Sequence, residues 1–236
     1  MKLPRLFYFH KFNLVTNAEF GSSGGTERYY PMMKNLLCMI IMSAFPMTML
    51  ADSKVILKSG DASVLSSAAN AFIEFDYSKA KIEGKDTPLE DFIEQKGAKY
   101  ELKWEQAQEM SHKDFIKRFN KKSTGLKLSA DSTKESKFKV VISIRTINMG
   151  NTAKSLLPIG SKTEGGTTLF GRIYVKDLKG RILCELRFID IKGLGAPAIQ
   201  ARLLFAYQEL NTTIHKFLKK SKKSNEEEEE EKDEKE

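Results

Sequence analysis

Residues 149–166 (MGNTAKSLLPIGSKTEGG) gather the chain's most suggestive chemistry in one short stretch. Gly160-Ser161-Lys162-Thr163 is similar to the end of a phosphate-binding loop, where consecutive Gly-Lys-Thr would aim amides and an ammonium at phosphates. Here Ser161 separates the glycine from the lysine, and Ser155 stands where a further glycine is required. The stretch therefore reads as a solvated, glycine-rich connection, site-forming through contact rather than nucleotide binding. Its candidate contact residues are Asn151, Lys154, Lys162 and Thr163.

Three other groupings could do chemistry. Beyond the leader the histidines are His112 and His215, each in a helical pattern, and the one cysteine is Cys184. One thiol and two scattered imidazoles give no zinc-ligand spacing, so no metal and no cofactor is implied. Serine or cysteine nucleophiles meet their histidine in space rather than in sequence, which leaves a small periplasmic hydrolase as an alternative function. Against it, the expectation is surface histidines and a buried Cys184 acting as a small apolar residue. Glu74 and Asp76, near Lys79 and Lys81, could serve as paired carboxylates, but exposed alternation on a sheet edge is the commoner origin of such a strip. Tyr77, Tyr100, Trp104 and Tyr207 could stack on bases, yet they fall on apolar stripes where core packing is expected.

The elements that would position these residues follow from period. Residues 54–58 (KVILK) read as a strand closed by Ser59-Gly60-Asp61. In residues 69–78, Ala69, Ala71, Ile73, Phe75 and Tyr77 alternate against Phe72, Glu74 and Asp76, the period of a half-buried strand. Thr87-Pro88-Leu89-Glu90 predicts a capping box opening a helix that ends at Gly97. Residues 99–120 continue helically, with a break expected near Met110 because Ser111 and Asp114 suit a fresh start. Residues 121–136 read as a loop, and 137–147 as the clearest strand. Strands at 167–176 and 181–191 form a hairpin about Asp177-Leu178-Lys179-Gly180. After Gly193-Leu194-Gly195-Ala196-Pro197, a stripe from Ile199 to Leu218 predicts a long helix packed on a sheet. The order β-β-α-α-β-β-β-α argues for an α/β protein of the α+β type: a mainly antiparallel five-stranded sheet with helices packed on one face.

The ends of the chain speak of compartment and charge. Met33-Lys34-Asn35, the apolar run 36–50 and Ala51-Asp52 have the parts of a secretory signal, and the run is shorter than the roughly 20 residues a membrane span needs. The expected organisation is an upstream extension at 1–31 from a mis-assigned start, a signal peptide at 32–51, one α/β domain at 52–220 and a disordered tail at 221–236, acidic from 226. Of the chain's 236 residues and formal charge of +8, residues 52–225 carry 32 bases and 20 acids, whereas 226–236 carry nine acids and two lysines. A basic body with an acidic tail suits anionic surfaces and can cover its own basic face. The basic body raises nucleic acid, anionic lipid and acidic glycan as ligands, and the export signal argues against the first. A basic nucleic-acid binder with an acidic tail is thus the second alternative.

The runs SGDASVLSSAANAFIEFDYSKAKIEG (59–84), FNKKSTGLKL (119–128) and KGLGAP with RLLFAYQEL (192–210) resemble an uncharacterised group of exported Bacteroidetes proteins, over most of residues 52–220. That resemblance brings no reaction with it. The hairpin, the glycines after it and the closing helix also resemble small envelope domains of bacterial secretion and transport accessory proteins. This second resemblance implies an accessory or assembly role. The combined expectation is an exported, non-enzymatic cell-envelope protein, periplasmic, outer-membrane-associated or secreted. Its partner would be an unknown envelope protein or an anionic surface, and it would have no transmembrane span once the signal is removed.

Overall fold

The computed structural model describes residues 53–132, 135–151 and 165–233, with side chains to Lys223. The extension and leader at 1–52 lie outside these residues. From Leu50 onward the chain forms one compact unit.

Strand β1 (Lys54–Gly60) ends in a short 3-10 turn at Ala62–Ser66, capped by Asp61, whose carboxylate accepts from the Ser63 amide at 2.7 Å. Strands β2 (Asn70–Asp76) and β3 (Lys81–Ile82) follow. Helices α1 (Leu89–Gln95) and α2 (Ala98–Lys122) come next, then β4 (Lys127–Ser129), β5 (Phe138–Asn148), β6 (Thr168–Asp177), β7 (Ile182–Lys192) and the long helix α3 (Ile199–Asp233). The mixed α+β class expected from the sequence is present.

The sheet corrects the finer expectation. It has seven strands rather than five, in the order β1-β7-β6-β5-β2-β4, with β3 paired to β5. The pairings β1/β7, β6/β7 and β5/β6 are antiparallel, but β2 runs parallel to both β4 and β5, and β3 runs parallel to β5. The single helical interruption is the reason. Parallel neighbours need a long crossover rather than a tight turn, and α1 and α2 supply it between β2 and its parallel partners β4 and β5.

Alternation along the strands sends Ala71, Ile73, Val140, Ile142, Ile144, Ile173, Val175, Leu186 and Phe188 into the core. Against them pack Trp104, Ala107, Phe115 and Phe119 of α2 and Leu203, Ala206, Tyr207, Leu210 and Ile214 of α3. The fit is tight: the space among Phe115, Phe119, Val140, Ile142, Ile173 and Ile214 is only about 10 Å³.

Three local expectations also change. Thr87-Pro88 does not build a capping box: Pro88 precedes α1 without a side-chain cap, and Thr87 instead accepts the Ile82 amide at 3.0 Å, beside a bridge between Lys81 and Pro88. Helix α2 runs unbroken through Met110, because Ser111 is fully buried in the helix rather than starting one. Helix α3 does not close in its basic run; its backbone is helical to Asp233. No proline or glycine interrupts 199–236, and Lys and Glu are good helix formers. Among the described residues no helix is long and apolar enough to cross a membrane.

Candidate functional site

The residues singled out from sequence separate into two places, one buried and one open. Strand β2 and helix α2 bring Phe75, Tyr77 and His112 together. The His112 ring stacks on Phe75 at 3.8 Å and 4°, and its Nε2 lies 3.0 Å from the Tyr77 hydroxyl. The Tyr77 hydroxyl also meets that of Tyr207, from α3, at 2.5 Å. Burial pushes His112 down to about 4 and raises both tyrosines, so at neutral pH all three groups are uncharged. The three groups form one hydrogen-bonded chain, which a proton order running from Tyr207 through Tyr77 to His112 Nε2, or the reverse order, satisfies.

This corrects the expectation of surface histidines. His112 is mostly buried and its Nε2 is occupied, and His215 tilts against Phe119 at 5.1 Å with its own Nε2 buried. A base held neutral to about pH 4 and already bonded to a phenol is not placed to activate a nucleophile. Cys184 is fully buried, and burial pushes its thiol up to about 11, which suits the small apolar role expected of it. Tyr207 and Trp104 are core residues, as their stripes predict, at 0% and 4% exposure.

Above the tyrosine cluster, between α1 and α2, lies a groove of about 580 Å³. Its apolar lining is Leu89, Ile93, Tyr77 and Trp104, and its rim carries Glu90, Glu94, Glu101 and Glu105. The Tyr77 hydroxyl belongs to the network described above and also meets Gln108, which lines the groove. Among the described residues no group of three or more His, Cys, Asp and Glu gathers as a metal site.

The open place is the sheet face turned away from α2 and α3. Strand register sets its composition. Lys139 of β5 stands directly opposite Lys176 of β6, and Arg172 of β6 stands directly opposite Arg187 of β7. Between those pairs, Tyr174 of β6 faces Val141 on one side and Glu185 on the other. On β2, Phe72 and Glu74 stand opposite Lys139 and Val141, and Asp76 stands opposite Ser143.

The side chains knit diagonally. Lys139 Nζ reaches Glu74 at 2.6 Å and Arg172 reaches Glu185 at 2.7 Å, while the Ser143 hydroxyl donates to Asp76 at 2.9 Å. The lysine ammonium groups also sit over rings, Lys139 at 5.9 Å from Phe72 and Lys176 at 5.7 Å from Tyr174. Side-chain exposures of 41% for Lys139, 45% for Glu74 and 48% for Arg172 show that water reaches this face. Asp76 is held below the usual carboxylate range: burial opposes this, but bonds from Ser78 and Ser143 together with the Arg145 charge outweigh it.

The Glu74–Asp76 strip lies where β2 is paired on one side only, as an edge position was expected to be: pairing with β4 ends at Phe72. Beyond Phe72 strand β2 keeps β5 as its partner, and the two carboxylates are divided between Lys139 and the serines rather than paired with each other. Of the loop residues, the structure describes Asn151, which is exposed and whose amide donates to Gly165 at 3.1 Å. Lys154, Lys162 and Thr163 lie outside the described residues. Sequence reasoning missed the basic face because Lys139, Arg172, Lys176 and Arg187 come from three strands whose neighbours only the fold reveals. Their shared signal was the polar half of each alternation.

No protein-family model matches the chain, and no curated protein matches it in sequence. Among solved structures it is similar to a PelC dodecamer from Paraburkholderia phytofirmans, at 9% identity and a TM-score of 0.35, over 67% of this chain and 96% of that one. A variant PelC dodecamer from the same organism matches at 8% identity and a TM-score of 0.32, over 68% of this chain and 95% of that one.

Proposed function

We propose that this is an exported, non-enzymatic cell-envelope protein that works by binding another envelope component through the open face of its sheet. One observation carries the reading: helices cover one face of the sheet, and the other presents a water-accessible array of arginine, lysine, carboxylate and aromatic side chains drawn from four adjacent strands. A surface held on rigid strands can recognise a partner with little loss of side-chain freedom. Catalysis finds less support, since His112 is occupied and the Cys184 thiol is buried. Asn151, Lys154, Lys162 and Thr163, in the connection between β5 and β6, remain candidate contact residues for the same partner.

Export rests on the leader at 32–51, and the basic body fits the anionic character expected of the partner. Periplasm, outer membrane and medium are all consistent with that leader. The test is to fractionate native cells and read the protein's amino terminus by mass spectrometry. A terminus near Asp52 in the envelope or the medium is the expected result. A terminus at Met1 or Met33 in the cytosol overturns export, and a native peptide from residues 1–31 overturns the mis-assigned start.

A further inference from the structure

The open face contains an arrangement that folding alone does not favour. Like charges directly opposite on neighbouring strands repel and weaken a sheet, yet two such pairs occur here, Lys139 with Lys176 and Arg172 with Arg187. They stand four residues apart along β6, about 13 Å at the rise of a strand. The acids on the face reach one member of each pair, Lys139 through Glu74 and Arg172 through Glu185. Repulsion maintained twice on one face is what a site for an extended anion would require.

The geometry points to an acidic polysaccharide, a chain bearing carboxylates on its sugars, as the ligand of this face. The inference rests on the proposed binding role and deepens it. Two features favour such a glycan over nucleic acid or a lipid surface. Arg187 offers a planar fork to an anion of either kind, and Arg172 shares its own with Glu185, so the choice rests on the acids and the rings. Glu74, Asp76 and Glu185 are interleaved among the bases, where they would accept bonds from the sugar hydroxyls that a DNA backbone lacks. The rings of Phe72 and Tyr174 lie under lysine ammonium groups, so they are not free platforms for stacked bases.

The test titrates the full chain with oligogalacturonate, with a neutral dextran oligomer of equal length, and with a thymidine oligonucleotide of equal charge. The wild type should bind oligogalacturonate, should not bind dextran, and should bind the oligonucleotide at least tenfold more weakly. The Lys176→Gln, Arg187→Gln double variant should lose at least tenfold in affinity for oligogalacturonate, with an unfolding midpoint equal to or above that of the wild type. Lys117→Gln with Lys121→Gln, two exposed positions on α2, should leave binding unchanged. Absence of oligogalacturonate binding at low salt overturns the inference. So does equal binding by the double variant, or oligonucleotide binding as tight as that of the glycan. Export is read independently from the native amino terminus, so failure of the ligand and failure of the exported role are separate results.

Discussion

At the scale of single residues, the Tyr207–Tyr77–His112 chain converts burial into a pH dependence. His112 sits near pKa 4 in the fold because burial penalises its charged form, whereas an unfolded imidazole titrates near 6.5. Between those values the unfolded chain binds the extra proton, so this contribution is complete above about pH 6.5 and is lost as pH falls toward 4. The loss should be on the order of 3 kcal/mol when the interval has been crossed. His112→Phe keeps a ring against Phe75 and removes the titration. Denaturant unfolding at pH 7 and at pH 4.5 should therefore show a smaller drop for the variant than for the wild type; equal drops would mean that the stacked imidazole is not the group responsible. Tyr77→Phe acts on the same chain without titrating. It leaves the Tyr207 hydroxyl and His112 Nε2 each without a hydrogen-bond partner, and should cost about 1–3 kcal/mol in urea unfolding at neutral pH.

At the scale of elements, the central strands decide what the sheet tolerates. Gly171 lies on β6 between β5 and β7, where a Cβ would come within 2.2 Å of the Ser143 carbonyl oxygen and 2.5 Å of the Phe188 ring. Backbone cannot move aside there, so Gly171→Ala should lower stability by about 1–3 kcal/mol in a chemical denaturation curve. Lys176→Glu should do the reverse. It replaces repulsion from Lys139 with attraction across the same register and should raise stability by about 0.2–1 kcal/mol, while weakening any anion held on that face. A variant that unfolds earlier than the wild type would show that the Lys139–Lys176 pair carries no repulsion to relieve. These strands were legible in the sequence because each is long enough to show its period: β2, β5, β6 and β7 fall within a residue or two of their alternating runs. Strands β3 and β4, of two and three residues, are too short to have one. Their partners were hidden for a different reason, since alternation says which residues share a face but not which strand lies beside it. The burial of His112 was equally unreadable, because a lone polar residue on a helix gives no sign that β2 will lay Phe75 against its ring.

At the scale of the whole molecule, charge is divided along the chain more sharply than the net value of +8 suggests. Residues 52–225 hold 32 bases against 20 acids, and the final eleven positions hold nine acids against two. Among the described side chains of α3, the last packed against the core are Phe217 and Leu218, and the helix continues to Asp233. Glu226 to Glu231 and Asp233 are therefore on helical backbone, in sequence beyond Phe217 and Leu218. Such a run of like charge acts through the field around the protein, and its reach is set by salt, about 30 Å at 0.01 M and 3 Å at 1 M. Removing residues 226–236 should leave the unfolding midpoint nearly unchanged. It should strengthen binding of oligogalacturonate at low salt several-fold and steepen the fall of affinity with salt, with the two forms converging as salt approaches 1 M. Parallel titrations of the two chains across that range distinguish the possibilities. Convergence identifies the acidic end as a screen on the basic body, whereas identical curves at low salt would show that its charge does not reach the sheet.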